Sequence, residues 1–260
     1  MRIRTHHPLL SGFIAALTSL LAGCGTGVSS STNPPTTSYL FPAGAPYAWV
    51  QYYGASNLPT PHSITVALET LTGIAADSNG NIVNVGYDLG SMNGSSNPTQ
   101  IAQAYIVKYD QTGSQKWLKQ FGTGSGDFLN GVSVDSAGNI FAIGITHGAL
   151  PGYSNPNQSV EAILYKFDPD GTLLWQTQYT VDSAYTSGDS ISCDPQGNPI
   201  VGGVYTPQAS PQYARIYIRK FDGATGVAIW TTSIGTNAIN YFEKLTTDES
   251  GQVYLIGETT

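Results

Sequence analysis

Short runs of alternating apolar and polar residues, separated by turns rich in Gly, Asp and Asn, recur from residue 49 to the end of the 260-residue chain. Gly131-Val-Ser-Val-Asp135 alternates with a period of two, which predicts a half-buried strand. Ile140-Phe-Ala-Ile-Gly-Ile145, Ala162-Ile-Leu-Tyr-Lys-Phe167 and Trp117-Leu-Lys-Gln-Phe121 read as further strands, bounded by turn residues. The pattern repeats on a fixed skeleton: an Asp, a Gly three residues on, and a second Gly six after that. Its copies are Asp77/Gly80/Gly86, Asp135/Gly138/Gly144, Asp194/Gly197/Gly203 and Asp248/Gly251/Gly257, separated by steps of 58, 59 and 54 residues. A period of this size with constant internal offsets marks a repeat architecture.

The offsets have physical causes. In Asp77-Ser-Asn-Gly80, Asp135-Ser-Ala-Gly138, Asp194-Pro-Gln-Gly197 and Asp248-Glu-Ser-Gly251, Asp can bind the following amides while Gly takes positive φ. A second turn family, Asp110 to Gly113, Asp168 to Gly171 and Asp222 to Gly226, follows another strand in each unit. The Gly inside the strand (Gly86, Gly144, Gly203, Gly257) marks a close backbone approach or bulge, and is expected at a crowded point between sheets. Each unit offers four strands and one Trp: Trp49, Trp117, Trp175 and Trp230. So regular a placement predicts packing anchors rather than a stacking platform for ligand. A four-stranded sheet this short cannot bury both faces alone. Radial stacking solves that problem, so the expected fold class is all-β, a β-propeller of four-stranded antiparallel blades with about four repeats. Counted from the tryptophans, the units run 49–116, 117–174, 175–229 and 230–260.

Trp117-Leu-Lys-Gln-Phe-Gly-Thr-Gly-Ser-Gly-Asp127, Gly131-Val-Ser-Val-Asp-Ser-Ala-Gly-Asn-Ile-Phe-Ala-Ile-Gly144 and Tyr105-Ile-Val-Lys-Tyr-Asp110 together resemble the bacterial SBBP-type β-propeller repeat. The resemblance extends over residues 49–260. The third unit departs at Cys193 and Pro199, and the first carries about ten additional residues between Trp49 and Asp77. Phe221-Asp-Gly-Ala-Thr-Gly-Val-Ala-Ile-Trp230 is similar to the PQQ-like repeat of quinoprotein propellers. That turn is scaffold in both families and implies no cofactor.

Two arrangements of the ring follow from the repeats. Phe41 lies eight residues before Trp49, as Tyr109 and Phe167 lie eight before Trp117 and Trp175, so residues 38–41 could complete the last sheet and close a four-bladed ring. Alternatively the repeats form an incomplete, open arc, either part of a longer propeller or paired with another copy. The uncapped final strand favours the open arc.

The N-terminus carries an address. Arg2 and Arg4 precede an apolar run from Leu9 to Ala22 that is short for a membrane span, followed by Leu21-Ala-Gly-Cys24. The string resembles the bacterial lipobox, which implies a signal peptide over 1–23, lipidation of Cys24, anchoring to the membrane through acyl chains, and an outer-membrane destination in the cell envelope. Residues 24–37 read as a flexible tether and 38–260 as the propeller. Without Arg2 and Arg4 the chain holds 8 Lys+Arg against 17 Asp+Glu, a net charge of −9 that argues against nucleic acid as a partner. With Cys24 acylated, Cys193 has no disulfide mate and is expected to pack as a small hydrophobe.

Catalytic motifs with defined spacing do not occur, so no catalytic, cofactor-binding or metal-binding residue is assigned and no cofactor is expected. Asp168-Pro-Asp-Gly171 lacks the acidic twelfth position of a calcium loop, where Tyr179 stands, and reads as a hairpin turn. His62 and His147 fall in different loops. The variable connections 55–68, 91–101, 147–159 and 206–213 are where a binding surface would lie on a rigid scaffold. The leading expectation is a lipid-anchored, non-enzymatic module that binds protein or glycan or serves as a scaffold. The alternative is a periplasmic or surface enzyme (lyase, hydrolase or quinoprotein-like) with its site at the propeller axis.

Overall fold

The computed structural model describes residues 70–90, 92, 101–182, 185–207, 213–235 and 240–259. The signal peptide, Cys24, the tether, Trp49, His62 and the strand candidate 38–41 lie outside them. Fourteen strands and no helix occur among the described residues. They are β1 (Thr70–Ala76), β2 (Ile82–Asp88), β3 (Gln103–Tyr109), β4 (Gln115–Phe121), β5 (Asp127–Val134), β6 (Ile140–Thr146), β7 (Glu161–Phe167) and β8 (Leu173–Tyr179). The remainder are β9 (Ser190–Cys193), β10 (Pro199–Tyr205), β11 (Arg215–Phe221), β12 (Ala228–Ile234), β13 (Asn240–Thr247) and β14 (Val253–Thr259). Each sheet is an antiparallel meander in chain order: β1 to β4, β5 to β8, β9 to β12, and a fourth sheet of β13 and β14. Propeller blades are therefore present, and among the described residues the sheets do not close into a ring.

The sheets are phased one strand away from the sequence units. Trp117 lies on β4, which pairs with β3 and completes the first sheet, and Trp175 on β8 completes the second. Four strands counted from a Trp thus do not form one sheet; the Trp strand belongs to the sheet before it.

Turn chemistry follows the sequence closely. Asp135 Oδ1 accepts from the amides of Ala137 (2.9 Å) and Asn139 (2.8 Å), and Gly138 at φ 84° donates to the Asp135 carbonyl. Asp77, Asp194, Asp110, Asp168, Asp222 and Asp248 make the same kind of turn. These bonds favour the ionised form and hold the carboxyls of exposed Asp110, Asp168, Asp222 and Asp248 below their ordinary range.

The strand glycine is crowded within its own sheet rather than between sheets. A Cβ on Gly144 would collide with the Phe128 carbonyl of β5, which pairs with β6. Register shifts there, at a bulge between Leu129 and Gly131, and the same shift occurs in β1 (Leu71/Gly73) and β13 (Phe242/Lys244). The bulged residue of the first two sheets reaches the next sheet: Thr72 Oγ1 donates to the Leu129 carbonyl of β5 (2.5 Å) and Asn130 Nδ2 to that of Gly188, two residues before β9 (2.9 Å).

The core lies between adjacent sheets. Along β6, Ile140 and Ala142 face a cluster shared with Val83, Val85 and Ile106 of the first sheet. Phe141 and Ile143 face one shared with Ile191, Val201 and Tyr217 of the third. A strand covered on both faces has no polar side to show, which accounts for the unbroken apolar run of β6. Ile200, Ile218 and Leu245 join the third sheet to the fourth. Cys193 packs at the edge of the second cluster with its thiol free, and burial pushes it up to about 12.

Candidate binding face

Antiparallel meanders sort the connections by length. The tight Asp–Gly turns join β1 to β2, β3 to β4 and their counterparts, and all fall at one end of the strands. The connections β2–β3, β6–β7 and β10–β11, with the links between sheets, fall at the other end. The described ends of these connections, at Gly90 and Ile101 and at Pro207 and Tyr213, therefore share one face with the loop 147–159. Of the variable segments, 147–159 is described throughout, whereas 55–68 and most of the other two lie outside the described residues.

Residues 147–159 form a preorganised loop. Buried Asn155 donates through Nδ2 to the carbonyls of His147 (3.3 Å), Gly148 (3.2 Å) and Ser159 (2.8 Å), and its Oδ1 accepts from the Ser159 amide (3.0 Å). Gln178 of β8 clamps the other side, accepting from the Leu150 amide (2.8 Å) and donating to Gly148 (2.9 Å) and Glu161 (2.8 Å). Backbone that would otherwise be solvated is satisfied internally, so the loop meets a partner with little ordering cost. Tyr153 stands exposed at its tip.

Beside the loop lies an aromatic series drawn from three elements. Tyr87 of β2 meets Phe128 of β5 edge-on at 4.7 Å between centroids, and Phe128 meets His147 at 6.3 Å. All three are half-buried. Behind them Asp127 is fully buried and saturated: it accepts from the Thr123 amide (2.6 Å), the Thr123 hydroxyl (3.1 Å) and the Thr146 hydroxyl (2.6 Å). The Gly-rich string 122–126 therefore wraps a carboxylate of this chain. Asp88, next to Tyr87, is also fully buried, and neither of its carboxylate oxygens has a hydrogen-bond partner.

A third acid, Asp189, stands in the third sheet at the position that Asn130 holds in the second. Asp189 accepts from the Ser187 hydroxyl at 2.7 Å, and burial raises its pKa. Tyr217 donates to the Ser187 carbonyl at 2.7 Å and lies 3.0 Å from the Tyr179 hydroxyl; burial raises both phenols, and Arg219 lies over the Tyr179 ring at 4.6 Å. The first strands of all four sheets line a cavity of about 360 Å³, whose described lining includes Leu71, Thr72, Ile74, Ser190, Ile191 and Lys244. Among the described residues no group of three or more His, Cys, Asp and Glu side chains is placed to hold a metal.

The segment that carries Trp117, the Asp127 loop, the β5 bulge and the Asp135 turn is the one with a recognisable signature. Residues 116–151 match the SBBP beta-propeller repeat. No curated protein matches the chain. Among solved structures, the Dos1 propeller shares 12% identity at a TM-score of 0.42, over 71% of this chain and 42% of that one. A Synechocystis apocarotenoid oxygenase mutant shares 12% identity at 0.41 over 73% and 44%, and an ACO/RPE65 chimera 12% at 0.41 over 72% and 44%. The chain spans less than half the length of each.

One recurrent contact escapes a reading of the sequence. Lys108 and Trp117 both donate to the Pro169 carbonyl (3.2 Å each), in the β7–β8 turn of the next sheet. Lys166 and Trp175 both donate to the Gly223 carbonyl (2.7 and 3.2 Å), in the β11–β12 turn. Lys108 also pairs with Asp77 at 3.1 Å and Lys220 with Asp194 at 2.6 Å. The signal was available, since Lys stands before the aromatic–Asp pair in Lys108-Tyr-Asp110, Lys166-Phe-Asp168 and Lys220-Phe-Asp222.

Proposed function

We propose that this chain is a lipid-anchored binding module of the cell envelope, held to the outer membrane through Cys24 and presenting its long-loop face to a glycan or protein partner. The observation that carries this reading is the internally braced 147–159 loop beside the half-buried Tyr87–Phe128–His147 series. Aromatic faces set among polar groups suit sugar rings and aromatic-rich peptides, and a braced loop loses little entropy on binding.

The test is a glycan array, followed by affinity capture from envelope extract, using full-length protein extracted in detergent. Phe128→Ala and His147→Ala, which leave the sheet register intact, should each weaken the captured ligand about tenfold, the scale of one lost aromatic contact. A ligand held equally by both variants would place recognition elsewhere. Cys24→Ser should move the protein from the membrane to the soluble fraction; retention in the membrane would refute the anchor.

A further inference from the structure

The Lys–Trp latches, Lys108 with Trp117 and Lys166 with Trp175, tie neighbouring sheets at the tight-turn end. A second set of residues ties them at the bulge. Paired with the fourth residue of each second strand stand Gly73 (with Val85), Gly131 (with Ile143), Ser190 (with Gly202) and Lys244 (with Ile256). The first three fit closely against the next sheet. A Cβ on Gly73 would lie 3.2 Å from Gly131 Cα, and one on Gly131 would lie 3.4 Å from Ile191 Cγ2. Ser190 Oγ accepts from the Leu245 amide at 3.2 Å and donates to the Leu245 carbonyl at 3.5 Å. The last position breaks the series. Lys244 brings a long aliphatic stem and an ammonium where the other sheets have a hydrogen or a hydroxymethyl group. Among the described residues it makes no hydrogen bond or ion pair. Asp189 feels its charge, but the Asp189 carboxylate is bound to the Ser187 hydroxyl at 2.7 Å.

Lys244 lines the cavity of about 360 Å³ formed by the four first strands, a volume within the roughly 300–1,000 Å³ of small-molecule pockets. Its walls are apolar. Val132, Ile191 and Leu245 are buried there, while Leu71 and Ile74 of β1 remain 55% and 65% exposed. The hydroxyls in the lining are spent on backbone: Thr72 Oγ1 bonds the Val85 and Leu129 carbonyls (3.1 and 2.5 Å), and Ser190 is held by Leu245. Among the described lining residues the Lys244 ammonium is therefore the polar side-chain group left to a ligand. We propose that this cavity binds a small amphipathic acid, an aromatic or short aliphatic carboxylate, with its carboxylate on Lys244 Nζ and its apolar body over Leu71 and Ile74. Charge and apolar area together select this occupant. A neutral apolar molecule would leave the ammonium unpaired beside it, and a cation would be repelled. An anion without an apolar body would leave Leu71 and Ile74 in water. Tyr87, Phe128 and His147 do not line the cavity, so this site is separate from the long-loop face.

Fluorine NMR of a fluoronaphthoate and of its carboxamide tests this, each added to the full-length protein in detergent and to detergent alone. Line broadening beyond the detergent blank reports binding to the protein. The acid should bind about tenfold more tightly than the amide, the scale of one hydrogen bond to a charged group. Lys244→Met keeps the stem and removes the charge, so it should erase that preference and leave the amide unchanged. Lys244→Arg should keep the preference, and Phe128→Ala, on the long-loop face, should change neither ligand. The comparison of acid with amide on the wild-type chain needs no variant, so it decides the matter even where Lys244→Met fails to fold. Equal affinity for acid and amide, or no binding of the acid at millimolar concentration, overturns the assignment. So does acid binding that survives undiminished in Lys244→Met or falls in Phe128→Ala.

Discussion

Replacing Asp189 by Asn should make this protein more stable at neutral pH. Asp189 precedes Ser190, which pairs with Gly202, as Asn130 precedes Gly131, which pairs with Ile143. It therefore holds the position from which Thr72 and Asn130 donate to backbone of the next sheet, at or just before its first strand. A carboxylate has no proton to donate there, and burial, the largest influence on it, raises its pKa against the opposing Ser187 and Val204 hydrogen bonds and the Lys244 charge. The folded state thus holds the Asp189 proton more tightly than the unfolded chain. Stability from this group is full below the ordinary carboxyl pKa of about 3.9, falls as pH rises through the window up to the raised folded value, and is level above it. Asn keeps an acceptor for Ser187, cannot ionise, and brings to this position the amide donor that Asn130 uses in the second sheet. One new hydrogen bond contributes about 0.5–1.5 kcal/mol, and relief of a partly desolvated charge adds a similar amount, so the gain at pH 7 is about 1–2 kcal/mol. For a domain of this size that raises Tm by roughly 2–8 °C. Urea unfolding of both proteins at intervals from pH 4 to 8 measures it. The gap should open as pH rises. A variant less stable than wild type at pH 7, or a gap independent of pH, would refute the assignment of Asp189 as a misfit donor position.

Gly144→Ala should cost about 3 kcal/mol or more in chemical unfolding, because its Cβ meets backbone that can move only by breaking the β5–β6 register. Gly124→Ala, with open space around it but φ of 81°, should cost about 1 kcal/mol; equal costs would mean that crowding at the bulge is unimportant. Lys108→Ala leaves Asp77 buried without its cation and should cost about 3–5 kcal/mol, most of it recovered in Lys108→Met/Asp77→Asn; a double-mutant cycle without coupling would dismiss the pair. Cys193 should resist maleimide at pH 8 in the folded protein and react in urea, and labelling at the rate of a free thiol would show that the site opens.

What the sequence conveys about this fold is what it encodes locally. The Asp77, Asp135, Asp194 and Asp248 turns close within four residues, so side chain, amide and Gly stand next to one another in the text. Sheet membership is not local. β4 is bounded by turns on both sides, and nothing in Trp117-Leu-Lys-Gln-Phe121 says whether it pairs backward with β3 or forward with β5. The latches join residues far apart in the chain, Lys108 to Pro169 and Lys166 to Gly223, and a lysine in a strand ordinarily reads as solvent-facing. The tryptophans were legible as anchors for Trp117 and Trp175, while the exposure of Trp230 depends on what its neighbouring sheet provides. The candidate face was legible only as a set of unequal loops. Tyr87 and Phe128 lie on strands of different sheets and His147 opens a loop, so the packing of the first two sheets and the pairing of β5 with β6 are needed to bring their rings together.

The one-strand offset between repeat and sheet has an evolutionary corollary. Duplicating a unit that begins at its Trp strand inserts the closing strand of one sheet together with the first three of the next, so the copy is stitched into its predecessor at birth and cannot detach as a free domain. Lengthening such a chain always transfers an unfinished sheet to the newest end. The number of repeats can then drift while every internal junction stays intact, and selection acts on how the terminal sheet is finished.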